Sequence, residues 1–138
     1  MQVRRSRPEE AAEAVRLAQK LGLDYPGMEH DVLWVAEEKG RVVGLVALKT
    51  HADCLELCAL GVDPAEQGRG VAKALVEALM AEAPGDVHLA TIIPGFFEGC
   101  GFHIIRKDIP ETFPAKRRTA WCEGCPQERC TVMRRSRA

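Results

Sequence analysis

The spacing of apolar residues along the chain predicts two amphipathic helices. In the first, apolar positions recur at intervals of three and four and the pattern stops near Gly22; these positions are Ala11, Ala14, Val15, Ala18 and Leu21. Pro8 and the two glutamates after it mark its start, because proline suits a first turn and carboxylates complement the helix dipole there. The second helix is predicted over residues 71–83, where apolar residues again share one face.

Short apolar runs, bounded by glycine, proline and charged residues, predict the strands. The runs at 32–37 and 41–49 flank the turn Lys39-Gly40 and predict an antiparallel hairpin. The remaining predicted strands lie at residues 1–6, 54–62, 87–93 and 102–105, and a short helix lies at 96–100. The order β-α-β-β-β-α-β-α-β predicts an α+β domain (α/β in some schemes) with a mixed sheet, and no element is predicted after residue 105.

Length and composition favour one folded domain. The chain has 138 residues, of which 46% are hydrophobic and 28% charged, so we predict a single domain over residues 1–138. No apolar run approaches the roughly 20 residues that cross a bilayer, and the N-terminal segment lacks the apolar core of a signal peptide. We therefore expect a cytoplasmic protein without membrane contacts. The net charge of −1 gives no bulk attraction to nucleic acid.

Charge is unevenly distributed between the two parts of the chain. Residues 1–105 hold 10 basic and 16 acidic residues, whereas residues 106–138 hold 9 basic and 4 acidic ones. We interpret residues 106–138 as a basic, cysteine-containing extension of the domain. It is either a solvated, frayed terminus or an anion site formed where the segment folds back.

The stretch 62–72 is the most informative part of the sequence, because it runs from a strand through a glycine loop into a helix. Gly68 and Gly70 allow close approach of a ligand, and the helix start offers unpaired N–H groups with a positive dipole end. This predicts a phosphate or pyrophosphate site. No Gly-Lys-Ser/Thr follows, which excludes a Walker loop, and the third glycine of a Rossmann fingerprint is missing.

Two motifs in this order resemble those of the GCN5-related N-acetyltransferases, the GNAT superfamily. Residues 67–72, QGRGVA, are similar to the family's Q/R-x-x-G-x-G/A motif, and residues 96–102, FFEGCGF, resemble its F-Y/F-E-x-x-G-F segment. The resemblance covers residues 1–105. It implies a GNAT fold: a mixed, mostly antiparallel sheet splayed between two central strands, with helices on both faces.

The resemblance also implies an acetyl-CoA-dependent N-acetyltransferase, with the cosubstrate bound between the strands 54–62 and 87–93. The pyrophosphate would be held by the loop amides of Gln67, Gly68, Arg69, Gly70, Val71 and Ala72. The pantetheine arm would be aligned by the strand backbone at Leu60, Gly61 and Val62. The thiol end would contact Phe97 and Cys100.

Transfer of an acetyl group to an amine needs a base, because the amine must be neutral when it attacks. Glu56 stands 11 positions before Gln67, where some family members carry a glutamate base, and its neighbours are apolar or weakly polar. The alternative is that Glu56 faces solvent or forms half of an ion pair. Phe97 occupies the position of the tyrosine that many members use as the acid, so the group that protonates the leaving thiolate is left open.

The C-terminal segment contains three cysteines in a C-x-x-C-x₄-C pattern: Cys122, Cys125 and Cys130. They allow three interpretations: reduced cysteines or a disulfide, a zinc site that would need a fourth ligand, or a redox pair. We predict no metal site and keep zinc as the weaker alternative. We interpret the other cysteines, Cys54, Cys58 and Cys100, as small apolar fillers.

The same segment resembles short amino-acid N-acetyltransferases related to N-acetylglutamate synthase, with P-x-K at 114–116 and cysteines after it. This implies a small amine acceptor, for example the α-amine of glutamate, whose carboxylates require cations. We predict Lys116, in the P-x-K motif, and Arg106 as substrate-binding residues.

Other acceptors stay open, namely a polyamine, a protein amine or an antibiotic. A non-catalytic acyl-CoA sensor is also open, because Phe97 replaces the tyrosine. Homodimers are common in the family, so the resemblance allows a homodimer.

Overall fold

A computed structural model of the chain describes residues 1–119 and 126–137. The described chain forms two compact units: residues 1–49 with 57–82, and residues 50–56 with the described part of 83–138. The helices are α1 (Ala11–Leu21), α2 (Val71–Glu82), α3 (Pro94–Glu98) and α4 (Thr112–Arg117). The strands are β1 (Gln2–Arg5), β2 (Val32–Glu38), β3 (Arg41–Thr50), β4 (Leu55–Val62), β5 (Val87–Thr91), β6 (His103–Ile104) and β7 (Thr131–Arg135).

The first unit carries the strands in the order β1-β2-β3-β4, with α1 and α2. β1 pairs with β2, and β2 with β3, both antiparallel, as the Lys39-Gly40 turn predicts. The buried core of this unit combines one face of α1 with the apolar runs of β2 and β3; its members include Ala14, Leu17, Ala18, Leu33, Val35, Leu45 and Ala47. The residue that ends α1, Gly22, adopts a left-handed conformation, which confirms the predicted end of the helix.

The start of α2 lies close to β3 because Gly44 has no side chain. A Cβ at Gly44 would lie 3.1 Å from Leu75 Cδ1 and 3.3 Å from Val71 Cγ1. At the other end of the helix, Trp34 Nε1 donates a hydrogen bond to Glu82 Oε1 over 3.0 Å. These contacts fix α2 within the first unit, together with the loop that leads into it.

The second unit carries the order β4-β5-β7-β6. β4 and β5 are parallel and pair at Leu55↔Val87 and Glu56↔His88, so β4 contributes its first two residues to this unit. β7 pairs antiparallel with both β5 and β6. Buried aromatic and aliphatic side chains fill this unit, among them Phe97, Phe102, Phe113, Leu89 and Met133.

The structure confirms the α+β class: residues 1–119 and 126–137 form seven strands of mixed direction and four α-helices. The sequence indicated no element after residue 105, whereas the extension supplies α4 and β7. β7 was missed because it is half polar and follows a cysteine-rich segment without strand periodicity. Smaller differences lie at the ends of elements: β4 begins at Leu55, β5 ends at Thr91, and the short helix spans Pro94–Glu98. No helix among the described residues is both long and apolar enough to span a membrane.

Candidate active site

The glycine loop, residues 67–72, joins the end of β4 to α2 in the first unit, as predicted. Gly68 and Gly70 have φ of +83° and +75°, a left-handed conformation that side chains disfavour. A Cβ at either glycine would meet nothing within 4 Å, so the space beside both residues is open. Gln67, Gly68, Arg69 and Gly70 are exposed. The loop thus presents accessible backbone just before a 12-residue helix.

Asp63 fixes the turn that leads into the glycine loop. Its N–H donates to Val43 O over 2.7 Å, and its side chain accepts from Ala65 N over 3.0 Å. The backbone hydrogen bond from Ala65 lowers the pKa of the Asp63 carboxyl, which keeps it ionised as a cap for the turn Pro64–Glu66. Gln67 Nε2 donates to Val62 O over 3.1 Å and closes the turn from the other side.

The Arg69 side chain is held by two carboxylates of the first unit. It pairs with Glu66, and its Nη2 lies 3.7 Å from Glu38 Oε2. These three residues, with Lys39 and Arg41, line an open cavity of about 440 Å³. The Arg69 side chain is about half exposed, so a stronger anion can compete with the two carboxylates for it.

β4 contains a left-handed residue in its middle. Ala59 has a φ of +54°, which is costly for a residue with a Cβ. Strained residues of this kind cluster at functional sites. The three predicted pantetheine-aligning residues, Leu60, Gly61 and Val62, follow directly. Gly61 packs against α1 and its end, where a Cβ would lie 2.5 Å from Leu23 Cδ1.

A buried carboxylate, Glu56, lies at the start of β4 in the second unit. Its side chain is 3% exposed. Lys116 Nζ lies 2.6 Å from its Oε2, and His51 Nε2 lies 2.7 Å from its Oε1. We call His51, Glu56 and Lys116 the carboxylate cluster. The structure thus joins the predicted base to a predicted substrate-binding residue, and Glu56 is half of an ion pair rather than a solvent-facing residue.

The position of Lys116 follows from the way α4 is anchored. Asp53 Oδ1 accepts from the Thr112 hydroxyl over 2.6 Å, and Asp53 Oδ2 accepts from Thr112 N over 3.2 Å. The Thr112 hydroxyl lowers the pKa of the Asp53 carboxyl, which favours the charged cap. Thr112 and Lys116 are four residues apart and share one face of α4. The anchor at Asp53 therefore brings Lys116 over Glu56.

His88 is the register partner of Glu56 on β5 and has an unsatisfied nitrogen. Its Nδ1 is buried and has no hydrogen-bond partner in the part of the chain that the structure describes. Burial, and then the positive charge of Arg134, lower the pKa of His88, so the ring is neutral at pH 7. Its ring lies 6.3 Å from that of Phe113 on α4.

Phe97 and Cys100, predicted at the thiol end of the cofactor, are both buried in the second unit. The Phe97 ring meets Phe96 and Phe102 edge to face, at 5.0 and 5.9 Å between centroids. The Cys100 carbonyl accepts a hydrogen bond from Arg135 Nη1 over 2.8 Å. The Phe-Phe pair thus contributes packing, and neither ring can transfer a proton.

Arg106 makes none of the hydrogen bonds described for the carboxylate cluster. It lines a cavity of about 350 Å³ in the second unit. Arg117 lines the same cavity, and its Nη2 donates to Cys130 O over 3.1 Å. The remaining wall is mainly apolar and includes Ile104, Ile105, Ile109, Phe113, Pro114 and Val132. The cavity suits a small molecule with an anionic group and an apolar part.

Among the described cysteines, Cys130 carries a free, partly buried thiol. No group of three or more His, Cys, Asp or Glu side chains within residues 1–119 and 126–137 is placed to hold a metal. Cys122 and Cys125 lie outside the described residues. Burial and the charge of Asp53 raise the pKa of the Cys54 thiol to about 11, so Cys54 is neutral and not a nucleophile at pH 7.

The sequence did not indicate His51, His88 or Ala59. His51 lies in a turn where a histidine has many ordinary uses, and no periodicity links position 51 to position 116. The sequence does place a histidine five residues before a strand glutamate and a P-x-K motif later in the chain. This pattern indicates a shared site only once α4 is known to pack over β4.

A sequence model of the acetyltransferase (GNAT) domain matches residues 29–104. No curated protein matches the chain significantly. Many solved structures resemble it, and at identities below 25% this similarity concerns the fold. Rv2747 from Mycobacterium tuberculosis, crystallised in complex with CoA and NLQ, is 23% identical with a TM-score of 0.72, over 99% of each chain. An acetyltransferase of the GNAT family from Staphylococcus aureus Mu50 is 16% identical with a TM-score of 0.72, again over 99% of each chain.

N-acetylglutamate synthase from Neisseria gonorrhoeae, crystallised with coenzyme A and N-acetyl-glutamate, is 19% identical with a TM-score of 0.74. The comparison covers 100% of this chain but only 36% of the synthase, so the chain spans about a third of that protein. The predicted GNAT fold is confirmed by these structures.

Proposed function

The chain belongs to the acetyltransferase (GNAT) family, and we propose that its acceptor is the primary amine of a small molecule, with the α-amine of glutamate as the first candidate. Family membership makes the chain an acetyl-CoA-dependent N-acetyltransferase, with acetyl-CoA as cosubstrate. The acceptor itself is inferred from the charges of the second unit and from the resemblance to N-acetylglutamate synthase.

The residues of the glycine loop fit a pyrophosphate. Gly68 and Gly70 have the left-handed backbone and open surroundings that let main-chain N–H groups approach a ligand. The amides of Gln67, Gly68, Arg69, Gly70, Val71 and Ala72 would bind its oxygens, and the positive end of α2 would offset its charge. Bound acetyl-CoA supplies an acyl group activated as a thioester. The exposed guanidinium of Arg69 is a further cation for phosphate.

The end of β4 would align the pantetheine arm through backbone hydrogen bonds at Leu60, Gly61 and Val62. The left-handed Ala59 just before them supports this role, because strained residues of this kind cluster at functional sites. Phe97 and Cys100 would form an apolar wall for the thiol end, consistent with their burial.

The observation that carries the proposal is Glu56: a carboxylate 3% exposed, held on one oxygen by Lys116 and on the other by His51. A buried carboxylate with two polar partners is costly to build for stability alone. We infer that Glu56 supplies the negative charge of the group that removes a proton from the amine.

Cations near this centre favour an acceptor with carboxylates. Lys116 belongs to the cluster, and Arg106 with Arg117 lines the neighbouring cavity of the second unit. A glutamate acceptor brings two carboxylates, each of which an arginine can bind through two hydrogen bonds. A polycationic acceptor would meet repulsion at the same residues.

The experiment is a thiol-release assay with acetyl-CoA against the twenty amino acids, common polyamines and a lysine-containing peptide. We expect the highest kcat/KM with glutamate or a related acidic amino acid. Activity confined to polyamines would overturn the glutamate proposal. Tight acetyl-CoA binding by calorimetry, without turnover of any amine, would instead identify a sensor.

Glu56→Gln tests the catalytic role within the same assay. The amide keeps the shape of the side chain but loses the charge, and its NH₂ group cannot accept the hydrogen bond that the second carboxylate oxygen accepts, so kcat should fall about 10²-fold or more. The dissociation constant of acetyl-CoA should stay within about twofold. Glu128→Gln, at an exposed position of the second unit, is the matched control and should retain full activity.

A further inference from the structure

The carboxylate cluster contains a histidine with one uncommitted ring nitrogen. His51 Nε2 lies 2.7 Å from Glu56 Oε1, whereas Nδ1 of His51 has no hydrogen bond among the described residues. We propose that His51 Nδ1 accepts the proton from the amine, while Glu56 orients the ring and Lys116 pairs with the other oxygen of Glu56. The inference rests on the proposed function and names the atom that performs its proton transfer.

Glu56 is poorly placed to carry the proton by itself. Its side chain is 3% exposed, and Lys116 Nζ and His51 Nε2 each occupy one of its oxygens within 2.7 Å. A proton on Glu56 would remove the charge attraction between the Glu56 carboxylate and the Lys116 ammonium 2.6 Å away. A proton on Glu56 would also have no direct route to water.

His51 has the two properties that Glu56 lacks. Its side chain is 19% exposed, so a proton that reaches the ring can pass to solvent. Imidazole is also the side chain that most often serves as a general base. When Nε2–H donates to the Glu56 carboxylate, the tautomer is fixed and the lone pair resides on Nδ1. A carboxylate that orients a histidine base serves the same purpose in hydrolases of several folds.

The proton balance of the transfer is complete with these groups. The substrate ammonium gives one proton to His51 Nδ1 and becomes a neutral amine. Its nitrogen then forms a bond to the acetyl carbon, the carbon–sulfur bond breaks, and the second proton of the nitrogen leaves with coenzyme A as its thiol. His51 releases the first proton to water. This sequence requires no tyrosine, in agreement with Phe97 at the family's tyrosine position.

His88 is the rival base, because it lies opposite Glu56 on β5 and also has an unpartnered nitrogen. Burial favours the neutral His88 ring, and Arg134 acts in the same direction, whereas Asp86 and Asp53 oppose it. Its Nδ1 is buried, while the His51 side chain reaches solvent. The two histidines can be separated by mutation, because their hydrogen bonds are independent: among the described residues, Glu56 bonds to His51 and not to His88.

The first test compares His51→Gln, His51→Ala, His88→Asn and, as a matched control on the exposed β6, His103→Gln. We expect kcat to fall about 10²-fold or more in both His51 variants, with the KM for acetyl-CoA within twofold. Added imidazole should restore part of the activity of His51→Ala, an effect that loss of packing would not show. Melting temperatures report whether each variant folds. Full activity of His51→Gln, or a larger loss in His88→Asn than in His51→Gln, would overturn the inference.

The second test does not depend on turnover. In ¹⁵N-labelled protein, the His51 ring should be protonated at Nε2 and bare at Nδ1 at neutral pH, and Glu56→Gln should remove this preference. A bare Nε2 in the wild type would overturn the inference and leave the proposed function intact. Absence of transfer to every amine, with the expected tautomer present, would instead overturn the proposed function and the catalytic part of this inference with it.

Discussion

The two ends of β4 lead to sites of opposite construction. The glycine loop after Val62 consists of main-chain groups from six consecutive residues, whereas the carboxylate cluster at Glu56 joins side chains up to 65 positions apart. The loop is exposed and needs only the conformational freedom of Gly68 and Gly70. The cluster is buried and needs α4 to be placed correctly over β4. A local site is therefore robust to changes elsewhere in the chain, while a nonlocal one is tied to the stability of its unit.

We expect the largest effect on stability from a substitution that breaks the carboxylate cluster. Lys116→Met removes the cation that lies 2.6 Å from a carboxylate only 3% exposed, so Glu56 stays charged in the interior. We expect the free energy of unfolding to fall by about 3 kcal/mol, as when one partner of a buried ion pair is lost. Urea denaturation measures the change.

A double variant tests the physical cause of that loss. Glu56→Gln added to Lys116→Met removes the unpaired charge and should recover most of the stability, though not the activity. Lys107→Met, at an exposed position of the same unit, is the matched control and should change stability by less than about 0.5 kcal/mol. An unchanged midpoint in Lys116→Met would show that the pair does not stabilise the unit.

The second prediction concerns the glycine loop and changes binding more than stability. Gly70→Ala adds a methyl group at a φ of +75° and should move the loop amides away from the pyrophosphate. Loss of one charged hydrogen bond costs about 1.5–3 kcal/mol, so we expect the dissociation constant of acetyl-CoA to rise roughly 10- to 100-fold. Calorimetric titration with acetyl-CoA measures it.

Gly27→Ala provides the comparison for Gly70→Ala. Gly27 has a φ of +81° and equally open surroundings in the same unit, but it lies outside the glycine loop. Both variants should lose a similar amount of stability, about 1 kcal/mol, and only Gly70→Ala should weaken acetyl-CoA binding. If both variants weakened acetyl-CoA binding equally, the effect of Gly70→Ala on binding would come from lost stability alone.

The same contrast explains what the sequence could predict. The loop was located because glycines between a strand and a helix have a local meaning, and the hairpin at Lys39-Gly40 was predicted for the same reason. Apolar periodicity indicated both ends of α2, and the C-terminal end of α1, within one residue of those observed. These signals all act over a few residues.

Elements that depend on distant partners were missed. β7 inserts between β5 and β6, which supply its pairing, and its own sequence TVMRR is too polar to indicate a strand. α4 starts on Thr112, whose hydroxyl and N–H bind Asp53 from 59 positions earlier in the chain. Glu56 was found through its family position, but its partner His51 was not, because the contact exists only in the folded unit.

The third prediction concerns the anchor of α4, on which the cluster depends. Thr112→Val removes the 2.6 Å hydrogen bond to Asp53 Oδ1 and keeps the shape of the side chain. We expect a loss of about 1 kcal/mol in stability, and a drop in kcat because Lys116 is held less firmly over Glu56. Ser136→Ala, at an exposed position after β7 in the same unit, is the control and should leave kcat unchanged. A normal kcat in Thr112→Val would separate the anchor from catalysis.

The smallest expected effect comes from an ion pair of the first unit that contrasts with the cluster. Arg4 binds both oxygens of Glu10, at 2.6 and 2.7 Å, but the two side chains are 16% and 13% exposed. The hydrogen bond from Arg4 lowers the pKa of Glu10 to about 2, against an ordinary value of 4.5. Because the folded-state pKa is the lower one, the pair stabilises the protein above pH 4.5, and this contribution is lost as the pH falls toward 2.

Glu10→Gln should therefore cost only about 0.5 kcal/mol at pH 7, since solvent screens a pair at the surface. The difference in stability between wild type and variant should shrink as the pH is lowered from 4.5 to 2, which acid-titrated thermal unfolding can follow. Glu9→Gln, the exposed neighbour, should show no such convergence. A loss at pH 7 as large as that of Lys116→Met would mean that burial does not distinguish the two ion pairs. The stability of each pair would then follow the number of hydrogen bonds to its carboxylate, which is two or more in both cases.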